Sequence, residues 1–189
     1  MEQVKVISSC SIRNGEIILN DKPAFSSESP FFSDFSKKAY KHFGMEYPKF
    51  FRMDSLSKLA FLGAELLLKD EVKPDSENDI ALVFSNRSSS LDTDIRHQDS
   101  ISDRENYYPS PAVFVYTLAN ICMGEISIRH QLKSENSFFI FAAFNREFLF
   151  SYSKVLIETG KAEKVLCGWV DYLNDDYEAF LYLVGAEGQ

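Results

Sequence analysis

Residues 137–144, SFFIFAAF, form the densest apolar run of the chain, and they constrain its fold more than any other segment. The run is strand length, far short of the roughly 18–20 residues that a membrane-crossing helix needs. A helical pattern follows at once. Phe144, Phe148, Tyr152, Val155 and Leu156 recur on one face, and Leu149, Phe150 and Ile157 add a second. A helix apolar on most sides is expected to lie buried between layers. Residues 164–171 read as another strand. Residues 177–184 read as a strand pairing antiparallel beside it, with Asp175-Asp176 as the turn. Strands alternating with helices predict an α/β layered domain.

The rest of the chain fits that class. Residues 4–12 and 16–19 read as two short strands joined by Arg13-Asn14-Gly15, and Asn-Gly between extended runs signals a hairpin. Residues 26–30 read as a loop. A short helix is expected over 34–42, ended by Gly44. Residues 54–69 give the clearest helix, with Asp54 or Ser55 as cap and Leu56, Leu59, Ala60, Ala64, Leu67 and Leu68 recurring near a period of 3.6. Residues 80–85, IALVFS, are a continuous apolar run suited to a parallel strand buried on both faces. A polar loop over 86–90 precedes a helix over 91–102, and residues 113–129 read as helical with a break around 120–124.

Composition narrows the function. The chain has 189 residues, 45% of them hydrophobic, which is enough for one domain with a proper core and excludes general disorder. The single domain is expected to run over 1–189. A formal net charge of -8 disfavours nucleic acid and anionic membranes as partners. MEQVKVISSC has no basic segment followed by an apolar one, so no secretory signal is read there and a cytoplasmic location is expected. Cys10, Cys122 and Cys167 are odd in number and widely spaced, so they suggest neither a zinc set nor a disulfide framework. Cys167 follows an apolar run and reads as a buried structural thiol. Asp92, Asp94, Asp99 and Asp103 lack the glycine and terminal glutamate of a calcium loop, so a solvated helix face is the simpler reading. There is no phosphate-binding glycine loop, dinucleotide fingerprint or nucleophile elbow. No metal and no cofactor is expected.

The segment from 124 to 168, GEISIRHQLKSENSFFIFAAFNREFLFSYSKVLIETGKAEKVLCG, resembles the middle of a beta-ketoacyl-[acyl-carrier-protein] synthase. Residues 124–137 are similar to the family's GQISIRYGLKGPNS, with His130 where tyrosine is usual. Met53-Asp54 and the helix after it resemble the family's MDR...ALAAAREAL. LANICMG, residues 118–124, resembles IPNMAAG, keeping Asn120 and Gly124 and replacing the proline by Ala119. GKAEKVLCG, residues 160–168, resembles GxADxMxAG. The resemblance covers roughly residues 50–184 and leaves residues 1–50 as a divergent hairpin and helix.

The resemblance implies the N-terminal half of a thiolase-like fold, with a mixed, mostly parallel sheet flanked by helices. It aligns the family's nucleophilic cysteine with Ala143, followed by Phe144 where the family has a small residue. Alanine has no nucleophile to attack a thioester. The family's second half, which supplies two histidines and a lysine, is not matched; His42, His97 and His130 lie outside any matching motif, and His130 reads as an exposed or capping histidine. The expected role is a non-catalytic partner or scaffold in fatty-acid- or polyketide-type biosynthesis. Two alternatives stay open: a 3-oxoacyl-[acyl-carrier-protein] synthase subunit active only with another chain, and a homodimeric binding module without an acyl role. Expected partners are a second copy or a ketosynthase-type chain. Acyl carrier protein joins them if Arg129, Lys133, Arg146, Lys154, Lys161 and Lys164 make a basic patch; an ordinary solvated face is the simpler reading. Phe144 is expected to close any tunnel at Ala143. The helix after it is expected to be covered by the N-terminal hairpin, by another chain, or by both.

Overall fold

A computed structural model describes residues 3–103, 105 and 107–186 of the chain. The Asn-Gly signal folds as a hairpin between β1 (Val4–Arg13) and β2 (Glu16–Leu19). Asn14 and Gly15 both have positive φ, 51° and 75°, which is the conformation a two-residue turn needs to match strand twist. A Cβ on Gly15 would stand 2.4 Å from the Ser27 carbonyl oxygen. The same device recurs at Asn20-Asp21, which turns β2 into β3 (Lys22–Ser26), a strand the sequence reading does not contain.

Beyond β3 come α1 (Phe32–His42), a 3-10 turn (Pro48–Arg52) and α2 (Ser55–Leu68). Asp54 caps α2 by accepting from the Ser57 amide at 2.9 Å. The chain continues through β4 (Ile80–Asn86), α3 (Leu91–Ser102), α4 (Pro111–Val115) and α5 (Ile121–His130). The helical break falls at 116–120, and Gly124 lies inside α5. Then follow β5 (Asn136–Ile140), α6 (Arg146–Glu158), β6 (Lys164–Leu173) and β7 (Asp176–Ala186).

The seven strands form one mixed sheet in the order β3-β2-β1-β7-β6-β4-β5. The α/β class holds, but the expected mostly parallel pairing does not. Only β4 with β5 and β4 with β6 run parallel. The other four pairings are antiparallel. For three of these the reason is local: two-residue turns can join only antiparallel neighbours, and three of them occur, the last at Asn174-Asp175 with φ of 52° and 62°. The fourth, β1 with β7, joins the two ends of the chain.

A core lies on each face of the sheet. β4 is buried throughout, sending Ile80, Leu82 and Phe84 into one core and Ala81 and Val83 into the other. The helix enclosed on nearly all sides is α2, not α6 as the sequence suggests. Residues Leu56 to Leu68 of α2 are all buried except Lys58, under α1 and α5 on one side and the sheet on the other. α6 buries only Leu149, Ser153 and Leu156, against β6, β7 and β4. Val155 on its outer face is 55% exposed.

The N-terminal segment does not cover that outer face either. β1 to β3 extend the sheet sideways, and α1 packs on α2, with Phe32 and Phe35 buried in the α2-side core against Tyr172 and Tyr177. Met1 and Glu2, which belong to the N-terminal reading, lie outside the described residues.

Candidate functional site

The junction between β5 and α6 is where the resemblance locates the family's chemistry. The Phe141 amide donates to the Asn86 carbonyl at 2.9 Å and carries the chain past the end of β5. Asn145 ends the link by capping α6, its Oδ1 accepting from the Phe148 amide at 3.0 Å. Between them Ala142 and Ala143 are exposed.

Phe144 turns away from Ala143 onto the sheet. Its ring lies nearly parallel to Phe180 (centroids 5.8 Å apart, planes at 15°) and to Tyr182 (6.3 Å, 10°), with Trp169 at 6.1 Å. There it walls a cavity of about 270 Å³ lined by Val6, Phe144, Arg146, Glu147, Leu149, Phe150, Cys167, Gly168, Tyr182 and Val184. Ala143 is not among the lining residues. Phe144 therefore bounds an open space on the sheet side, and that space does not reach Ala143, where Phe144 was expected to close any tunnel.

On the opposite side of α6 a second aromatic group forms. Phe139 meets Phe148 edge-on at 5.0 Å and Tyr152 at 5.4 Å, and Phe141 meets Phe148 at 5.2 Å. The Tyr152 hydroxyl donates to Glu135 Oε1 at 2.5 Å. That bond holds the Glu135 carboxyl below its ordinary range and pushes the Tyr152 hydroxyl up. β5 is the last strand of the sheet, so its outer edge has no strand partner among the described residues. Ile140 at that edge is 53% exposed. Nearby, Asn136 donates to Ser127 Oγ of α5 at 3.3 Å, and Ile128 on α5 is 65% exposed. Phe114, Val115 and Leu118 add further exposed apolar surface on and just after α4.

The other reactive side chains lie elsewhere. Cys10, Cys122 and Cys167 are buried free thiols. Burial pushes Cys10 up to about 12 and Cys167 up to about 11, and raises Cys122 as well, so thiolate character is suppressed in all three. His42 packs against Phe25 and Phe43, and His97 against Phe114. His130 is buried with its Nε2 2.9 Å from Glu65 Oε2, which corrects the reading of an exposed or capping residue.

That contact belongs to a cluster missed from sequence. Arg129 Nη2 donates to Glu65 Oε1 at 2.9 Å, and its guanidinium lies over the Tyr47 ring at 5.3 Å. A lone glutamate in the otherwise apolar stretch LAFLGAELLL was the available signal.

Four of the six candidate cations have carboxylate partners of their own. Arg129 pairs with Glu65, Lys133 with Glu77, Lys154 with Glu158 and Lys164 with Glu71. Asp92 accepts from the Asn174 amide and Asp94 from Ser90 Oγ. Among the described residues, no group of three or more His, Cys, Asp or Glu side chains is arranged to hold a metal ion. Nor, among them, is any helix long and apolar enough to cross a membrane.

No protein-family model and no curated protein matches the chain. Solved structures do match. A ketosynthase in complex with its chain length factor from Xenorhabdus doucetiae superposes with a TM-score of 0.64 at 14% identity, over 99% of this chain and 81% of that one. The ishigamide ketosynthase/chain length factor gives 0.66 at 13%, over 97% and 62%. A type II polyketide synthase acyl carrier protein in complex with its ketosynthase bound to the hexaketide gives 0.68 at 14%, over 99% and 63%. In the last two the chain spans less than two thirds of the matched chain. The chain has the thiolase-like fold of the ketosynthases.

Proposed function

We propose that this chain is a non-catalytic, ketosynthase-like partner subunit of polyketide- or fatty-acid-type biosynthesis, seated beside a ketosynthase-type chain. The observation that carries the reading is the β5–α6 junction. There the resemblance aligns a nucleophile with Ala143, and neither a histidine nor an ionisable thiol of this chain stands in for it. Without a thiolate no acyl-enzyme forms, and without a general base no condensation follows.

The partner is supported by what the sheet leaves open. An unpaired edge strand beside exposed apolar residues is a surface that proteins normally cover. Two of the similar structures pair a ketosynthase with a chain length factor, and we carry that pairing over to the β5 edge. Acyl carrier protein enters through the ketosynthase, because four of the six candidate cations here already have their own carboxylates.

Two measurements test this. Intact mass after incubation with acyl- or malonyl-acyl carrier protein should show no adduct on this chain. Co-expression with a ketosynthase from the same cell should give a stable complex whose product lengths differ from those of the ketosynthase alone. Condensation by the isolated chain would overturn the non-catalytic reading, and failure to bind any ketosynthase would overturn the partnership.

A further inference from the structure

The cavity walled by Phe144 lies outside that reading, on the side of α6 away from the β5 edge. We infer that it binds one planar, uncharged aromatic ring. Size is the first argument. An apolar cavity of about 150 Å³ already takes up benzene, so about 270 Å³ holds one ring with a short substituent. Shape is the second. Phe144 lies within 15° of parallel to Phe180 and within 10° of Tyr182. A planar ring extends such a slab by offset stacking, where a puckered ring of equal volume loses contact. Charge is the third. The lining residues include one cation, Arg146, and one anion, Glu147, so the site asks for no net charge while offering a polar partner to one substituent. Val6 of the lining is 45% exposed, beside the irregularity that shifts β1 against β7 between Val6 and Ser8, so the proposed access is past Val6.

The chain carries its own reporter. Trp169 is the only tryptophan, and its ring lies 6.1 Å from Phe144. Titration of the full chain with 4-ethylphenol, read by Trp169 fluorescence and by amide chemical shifts, should saturate. Binding should be about tenfold or more tighter than for 4-ethylcyclohexanol, and likewise than for 4-ethylbenzoate, a difference of about 1.4 kcal/mol or more. Val6→Phe narrows the mouth from an exposed position and should weaken binding about tenfold with no change in melting temperature. Phe144→Leu should keep weak binding but erase the preference for the planar ring. No saturation up to the solubility limit, equal binding of the puckered analogue, tighter binding of the carboxylate, or indifference to Val6→Phe would each overturn the assignment. These outcomes are independent of whether the chain partners a ketosynthase.

Discussion

Gly168 sits in β6 opposite Leu181 of β7. A Cβ there would meet the Phe180 carbonyl oxygen at 2.0 Å and Leu181 Cα at 2.9 Å, both backbone atoms that cannot swing aside. Gly168→Ala should therefore part the two strands and destabilise the fold by about 3 kcal/mol or more, measured by urea unfolding. Glu65 gives a pH-dependent counterpart. Burial pushes its carboxyl up, but hydrogen bonds from His130 and Arg129, with their charges, outweigh burial and hold it below its ordinary value of 4.5. A carboxyl depressed by folding adds stability that is fully present above 4.5 and is lost as pH falls through the folded value. Glu65→Gln should flatten that acid limb of the stability curve. An unchanged slope below pH 4.5 would contradict the pairing.

At the scale of elements, α6 has one buried face. Leu149 and Leu156, at 1% and 4% exposure, should each cost about 2–5 kcal/mol when cut to alanine. Val155→Ala, on the outer face, should cost less than about 0.5 kcal/mol. Equal losses at all three positions would mean that the outer face is already covered within the chain. α2 has a different weak point. Asp54 caps it and also accepts from Thr93 Oγ1 at 2.9 Å, tying α3 to the start of α2. Asp54→Ala should cost about 1–2 kcal/mol for the cap, and calorimetry should show a lowered melting temperature.

At the scale of the whole molecule, no strand among the described residues pairs with the β5 side of the sheet. Light scattering of the purified chain should give a mass above that of one chain. Ile140→Lys, a charge placed at the exposed end of that edge, should shift the mass toward a single chain without lowering the unfolding midpoint at low concentration. A wild-type chain that remains monomeric at micromolar concentration and alongside a ketosynthase would remove the role proposed for the edge.

Much of this was legible in the sequence because it is governed by neighbours along the chain. Asn14-Gly15 announced a hairpin because both residues accept positive φ. IALVFS announced a doubly buried strand because no polar residue interrupts it. Asp54 announced the start of α2 because a carboxylate before an apolar run can accept its free amides. The resemblance around Ala143 located the candidate site. Tertiary structure alone decided the rest. The apolar periodicity of α6 says how greasy the helix is, but not that, among the described residues, it packs on the sheet by one face only. The same ambiguity hid α2, whose Glu65 is tolerable inside only because Arg129 and His130 arrive from 64 and 65 residues away. Phe144 reads from the chain only as bulk beside Ala143, without the side to which its ring turns. Its direction is set by Phe180 and Tyr182 on β7, and contacts that distant in sequence leave no local periodic signal.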